Sequence, residues 1–191
     1  MIGASEWTSL EVAKLVVGAL VPVLLFALGI VVSRAARRVE ESQWASRKVI
    51  ERRLELYDEM APKLNDLFCF FHRVGHYKEI DPPGAVARKR ELDKTFYANA
   101  PLFSTEFRQR YRAFLNACFL TYTGAGEDAK LRTSPALQRH ERPSWKDEWD
   151  EMFAWEDTRS DSVQIGTAFD ALMDSFSQEV GAKKAERRPR A

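Results

Sequence analysis

The sequence has few of the residues that build common catalytic and metal sites. Its 191 residues include two cysteines and three histidines. The spacings G-x-S-x-G, H-E-x-x-H and G-x-x-x-x-G-K-[ST] are all missing. We therefore predict that the chain is not an enzyme and takes no metal or cofactor. Its formal net charge of +1 favours no class of partner by itself.

Patterns of β-structure are equally scarce. No run alternates between polar and apolar residues, β-branched residues are few after residue 33, and no internal repeat occurs. With 45% hydrophobic residues the chain has enough apolar mass for a core and is not wholly disordered. The predicted fold class is all-α: a single N-terminal transmembrane helix followed by a cytoplasmic helical bundle.

One apolar run dominates the N-terminal region. Leu15–Val32 holds 18 consecutive residues without a charge. A helix rises about 1.5 Å per residue and the hydrocarbon core is about 30 Å thick, so this run is just long enough to span a bilayer. A cleaved signal peptide is disfavoured because the preceding residues carry two acids and one lysine. A buried core helix is disfavoured because the run is apolar on every side.

The charges that flank the run predict its orientation. Lys14 alone precedes it, whereas five basic residues follow: Arg34, Arg37, Arg38, Arg47 and Lys48. By the positive-inside rule, the N-terminus lies outside and the C-terminal part lies in the cytoplasm, as in a single-pass membrane protein. Cys69 and Cys118 are then expected to be free thiols.

Small residues in the apolar run leave two interpretations open. Pro22 is expected to kink the helix, and Gly29-x-x-x-Ser33 is a spacing that permits close contact between helices. The run is either a monomeric anchor or part of a homo-oligomer.

We divide the chain into four segments: an N-terminal segment with the span (1–33), a helical stalk (34–49), a helical domain (50–182) and a basic disordered tail (183–191). Apolar residues at helical spacing predict a helix from Ser33 to about Val74, and Pro62 predicts a kink or break in it near Met60–Ala61. Further helices are expected over 85–98, from a cap at Ser104 or Thr105 to the glycines at 124 and 126, from Ser144, and over 161–180. Residues 127–143 are expected to be irregular.

Charge is segregated along the helical domain. Residues 63–146 carry 15 basic and 9 acidic side chains, whereas residues 147–182 carry 1 basic and 10 acidic ones. Either the acidic segment packs against the basic one, or the basic residues form a groove for a nucleotide or oligonucleotide. The candidate ligand-binding residues are Arg88, Arg108, Arg112, Lys130, Arg132, Arg139, Arg142 and Trp145, with Lys89 and Arg90 as further basic candidates and Trp145 as a stacking surface.

One further set of side chains has spacing compatible with a metal. Cys69-x-x-His72-x-x-x-His76 places three potential ligands near one face of a helix, and Cys118 offers a fourth. These residues also lie among phenylalanines, and cysteine is often buried as a small apolar residue. The apolar interpretation is favoured, so no metal is assigned.

In layout, the chain resembles small bacterial membrane-anchored effectors of anti-phage defence systems. The residues that carry the likeness are the run Leu15–Val32, its Arg34/Arg37/Arg38 flank and the helical region Ile50–Val180. The resemblance implies homo-oligomerisation and control of membrane integrity, as an effector or ion channel in antiviral defence, by a nucleotide or protein signal. The alternatives are a membrane-tethered scaffold for a protein or nucleic acid and an enzyme with an unrecognised site.

Overall fold

The computed structural model describes residues 9–121, 124, 126–140, 142 and 144–182. Up to residue 45, side chains are described only for residues 18, 26, 28–34 and 44. The chain divides into two compact units between Lys48 and Val49. The predicted basic tail, 183–191, lies outside the described residues.

Helix α1, Ser9–His72, is a single α-helix that contributes residues to both units. Of the two predicted alternatives near Met60–Ala61, a kink or a break, the break is wrong, because the helix continues through Pro62. Met60 and Leu64 on either side of Pro62 are buried in the core, and this packing offsets the one backbone hydrogen bond that proline removes. The helix ends where Arg73 takes a left-handed φ of 57° and the amide of Val74 donates to the carbonyl of Cys69 at 3.2 Å.

Among the described residues, no helix combines the length and the apolarity that crossing a membrane requires. Of the predicted span Leu15–Val32, the side chains of 15–17, 19–25 and 27 lie outside the described set.

Four further α-helices belong to the unit that begins at Val49. They are α2 (Pro82–Asn99), α3 (Thr105–Cys118), α4 (Pro135–Arg139) and α5 (Ser162–Glu179). Short 3-10 turns occupy Tyr77–Glu79, Ala100–Leu102, Asp147–Met152 and Glu156–Thr158. The fold is mostly helical, which confirms the predicted all-α class.

Polar side chains cap three of these helices. The predicted cap at Ser104 is confirmed, since its Oγ accepts a hydrogen bond from the amide of Phe107 at 3.2 Å. Asp81 caps α2 and Asp161 caps α5 in the same way, each accepting from the amide three residues on. These caps satisfy amides that have no partner within the helix, and so help to fix where each helix begins.

Three expectations about the region after α3 are wrong. Helix α3 ends at Cys118, not at the glycines, because strand β1 (Phe119–Leu120) follows directly and pairs antiparallel with β2 (Lys130–Leu131). Residues 127–143 are not wholly irregular, since β2 and α4 lie within them. Ser144 opens no α-helix: the 3-10 turn Asp147–Met152 has Lys146 before it and no side-chain cap. Strands of two residues are too short to produce an alternating pattern, so periodicity does not reveal them.

Aromatic side chains fill the core of this unit. Phe176 of α5 contacts Tyr57 of α1 and Phe107 of α3, with ring centroids 4.9 and 4.6 Å apart. Nearer the other end of α5, Phe169 stacks on Phe68 of α1 at 4.4 Å. Residue numbers rise along α1 as they fall along α5, so the two helices are antiparallel.

Candidate ligand-binding site

The eight candidate ligand-binding residues lie on separate elements of the fold. One is on α2 (Arg88), two are on α3 (Arg108, Arg112), one is on β2 and one follows it (Lys130, Arg132), and three lie between Arg139 and Trp145. Most of them form hydrogen bonds or ion pairs with other residues of the domain.

Three of the arginines bind acceptors within the domain. Arg88 Nε donates to Asp66 Oδ2 of α1 at 2.6 Å. Arg132 donates to the carbonyls of Thr158 and Asn116 at 2.6 and 2.7 Å, and Arg108 donates to the oxygens of the Ser104 cap region. Arg88 and Arg132 therefore join separate parts of the fold, whereas Arg108 binds acceptors at the start of its own helix.

Arg142 is buried, with 6% of its surface exposed. Its guanidinium donates to the carbonyls of Tyr77 and Ile80 at 2.5 and 2.9 Å, and to the carbonyl of Gln138 at 3.0 Å and its side-chain oxygen. It also lies 5.2 Å from the ring centre of Phe70. Burial removes Arg142 from the surface that a ligand can reach and gives it a structural role.

Arg139 and Trp145 lie close together, and both are next to residues of the acidic segment 147–182. Arg139 pairs with Asp147 at 2.5 Å and with Asp150 at 3.1 Å, and its guanidinium lies 5.7 Å from the Trp145 ring centre. Trp145 packs edge-on against Trp149 at 5.4 Å. At this position the acidic segment does neutralise a basic residue, as the first interpretation of the charge segregation expected.

Lys130 lies in acidic surroundings. Its ammonium group is 5.6 Å from the Trp155 ring centre. The cavity of about 410 Å³ beside it is lined by Glu127, Asp128, Ala129, Lys130, Glu148, Glu151 and Met152. Asp128 and Glu148 also pair with Arg90 and Lys146, so the four carboxylates face three basic groups. The remaining acidic excess does not favour an anionic ligand such as a nucleotide.

A different cavity, the α2–α3 cavity, has the composition of a small ligand site. It encloses about 280 Å³ and is lined by Lys89, Asp93 and Tyr97 of α2, by Tyr111, Arg112, Leu115 and Asn116 of α3, and by Thr121. Of the predicted residues it contains Arg112 and the additional candidate Lys89. Leu115 is the one aliphatic residue in this lining, and the two tyrosine rings add further apolar surface. Polar groups that converge on a concave site are typical of small-molecule binding.

Asp93 organises the polar wall of the α2–α3 cavity. One carboxylate oxygen accepts from Tyr111 Oη at 2.9 Å and the other from Lys89 Nζ at 2.5 Å. Tyr111 is 1% exposed, and burial together with the neighbouring Asp93 charge raises the pKa of its hydroxyl far above its ordinary value. Tyr111 therefore stays a neutral donor, and Asp93 balances the charge of Lys89.

The packing of α2 on α3 holds this wall in place. Phe96 of α2 stacks on the ring of Tyr111 of α3 with centroids 3.8 Å apart and planes inclined by 16°. Lys89, Asp93 and Tyr97 follow one another at intervals of four residues, so α2 presents all three on one face. That spacing was available in the sequence, whereas the contribution of Asn116 and Thr121 depends on tertiary packing.

The four side chains considered as possible metal ligands have four different environments. Cys69 accepts a hydrogen bond from Asn65, and His76 Nε2 lies 2.8 Å from Asp66 Oδ1. His72 stacks on Phe68 at 4.3 Å, and Cys118 is fully buried, which raises the pKa of its thiol. In the part of the chain that the structure describes, no three such residues are arranged to hold a metal ion.

His72 is the histidine that packs between α1 and α5. Its Nε2 is buried and has no hydrogen-bond partner among the described residues, and a Cβ on Gly166 of α5 would lie 3.2 Å from the ring. Burial lowers the pKa of His72 below its ordinary value of 6.5, against the opposing charge of Asp170. The folded state therefore favours the neutral imidazole.

We expect acid to destabilise the domain through His72. The unfolded chain takes up a proton near pH 6.5 and the folded chain only at lower pH, so stability is full above pH 6.5 and falls as the pH drops towards the folded pKa. The free energy of unfolding changes by at most about 1.4 kcal/mol per pH unit through this group.

Urea unfolding at several pH values between 7 and 5 measures this slope. His72→Gln should flatten the slope and His140→Gln, at an exposed histidine, should not; equal slopes in wild type and His72→Gln would contradict the assignment.

No protein-family model, curated protein or solved structure matches this chain.

Proposed function

We propose that this protein is a membrane-anchored effector whose helical domain senses a ligand and controls membrane integrity. The observation that carries the proposal is the extent of α1. This single helix, Ser9–His72, contains the uncharged run Leu15–Val32 and also supplies core residues of the helical domain, among them Leu56, Leu67 and Phe70. A segment with the length of a membrane span is thus part of the same helix as the domain core.

The continuity of α1 supplies a physical route for control. Backbone hydrogen bonds within a helix make it stiff, so a change in how its C-terminal part packs acts on the residues that precede it. The α2–α3 cavity lies in the unit that begins at Val49. In this proposal, occupation of that cavity biases the packing of α1.

The residues of the run and its flanks support the remaining parts of the proposal. The basic residues Arg34, Arg37 and Arg38 orient the helical domain towards the cytoplasm of a bacterial inner membrane. Gly18 and the spacing Gly29-x-x-x-Ser33 favour close helix–helix contact, and therefore a homo-oligomer that opens or disrupts the bilayer. The layout resembles that of effectors in anti-phage defence, and we place the activity in that class.

The proposal is tested by following membrane potential with a voltage-sensitive dye in cells. Induced expression of the full chain should depolarise them, because clustered spans breach the bilayer. A chain that begins at Ser33 lacks the run and should leave the potential unchanged at equal protein level. If the full chain left the potential unchanged as well, the effector proposal would be contradicted.

A further inference from the structure

We propose that the α2–α3 cavity binds a small organic anion that carries one planar ring. This inference rests on the proposed sensing function of the helical domain and names the chemical class of the ligand. It goes beyond the sequence-based expectation of a nucleotide or oligonucleotide because the cavity sets a limit on size and supplies specific groups for each part of the ligand.

The anionic part of the ligand is assigned from the charges of the cavity. Lys89, with 13% of its side chain exposed, is neutralised by Asp93 at 2.5 Å. Arg112 is exposed and, within the described ranges, forms no hydrogen bond or ion pair. One positive charge in the cavity is therefore left for a ligand. A guanidinium group binds a carboxylate or a phosphate through two parallel hydrogen bonds.

The planar part of the ligand is assigned from the exposed ring of Tyr97. Its side chain is 56% exposed although it lines the cavity and packs edge-on against buried Phe96 at 5.1 Å. A ring that is held on one side and open on the other offers a stacking surface to a flat ligand. Asn116 and Thr121, both exposed at the cavity, supply polar groups that can orient the ring.

The volume sets the size of the ligand. Cavities that hold small molecules usually measure about 300–1,000 Å³, and this one, at about 280 Å³, is slightly smaller. A single ring with one anionic group fits such a space. An oligonucleotide does not, so the ligand class narrows to aromatic acids and pyrimidine nucleoside monophosphates.

Binding is measured by titration calorimetry on the full chain in detergent. The probes are uridine monophosphate, cytidine monophosphate and 4-hydroxybenzoate, compared with uridine and inorganic phosphate, which carry only one of the two features. At least one probe should show saturable binding at one site. The comparators should bind at least about tenfold more weakly, because each lacks a ring or a charge.

Variants of exposed residues locate the site. Arg112→Gln should weaken binding by about tenfold to a hundredfold, and Arg112→Lys by less, since lysine keeps the charge without the paired donors. Tyr97→Leu should also weaken binding. The matched control is Arg110→Gln on the same helix, which removes the same charge at a residue outside the cavity whose neighbour is Glu106 at 3.8 Å. Its affinity should equal that of the wild type.

Three results would overturn the inference: no saturable binding by any probe, phosphate binding as tightly as the best probe, or an equal loss of affinity in Arg110→Gln and Arg112→Gln. Thermal melting of each variant verifies that it is folded. Failure of the membrane proposal is distinguished by a different readout. A chain that does not depolarise cells can still bind the probe in detergent.

Discussion

Replacing Arg142 with methionine is expected to lower the free energy of unfolding by about 3–5 kcal/mol, because several buried acceptors lose their donor. The guanidinium joins the carbonyls of Tyr77 and Ile80, after the end of α1, to Gln138 of α4. Gln138 is itself fully buried and donates to the carbonyl of Phe70 at 2.9 Å. Methionine fills much of the same volume but leaves these acceptors without a donor, and each buried acceptor left unsatisfied costs about 1–3 kcal/mol.

The matched control for this substitution is Arg139→Met, three residues earlier. Arg139 also forms ion pairs, but its side chain is 46% exposed and its partners Asp147 and Asp150 remain accessible to water. Such surface pairs contribute about 0–1 kcal/mol. Urea unfolding followed by circular dichroism compares the two variants. Similar losses in both, or a loss under about 1 kcal/mol in Arg142→Met, would show that burial does not set the role of Arg142.

The comparison of Arg142 with Arg112 shows what the sequence can and cannot predict about this site. Both are basic residues of the same charged region, and both were candidates for ligand binding. The structure buries Arg142 among carbonyl oxygens and leaves Arg112 exposed at a cavity. The charge of a residue can be read from the sequence, but its burial depends on which elements pack together. No local spacing distinguishes these two arginines.

The helices were more predictable than the site. Apolar residues at helical spacing located α2, α3 and α5, and the side chains of Ser104 and Asp161 fixed where two of them begin. The pairing of β1 with β2 was not predictable, since it consists of two residues per strand: Phe119 opposite Leu131 and Leu120 opposite Lys130. Periodicity needs several residues to be detected, whereas this pairing is selected by tertiary contacts.

Charging the apolar run is expected to abolish membrane association. Val23 and Leu24 lie at the middle of Leu15–Val32, and an arginine at the centre of a span costs about 2.5–3.5 kcal/mol on insertion scales. The double variant Val23→Arg, Leu24→Arg is therefore penalised by about 5–7 kcal/mol. The matched control places the same two charges on the helical domain, at Val163 and Leu137, which are already 73% and 48% exposed.

The most direct measurement of the central claim is extraction of cell membranes with alkaline carbonate, followed by immunoblotting of pellet and supernatant. The membrane-span account predicts that the intact chain and the Val163→Arg, Leu137→Arg control stay in the pellet, while the Val23→Arg, Leu24→Arg variant is released. Release of the intact chain into the supernatant would contradict the account.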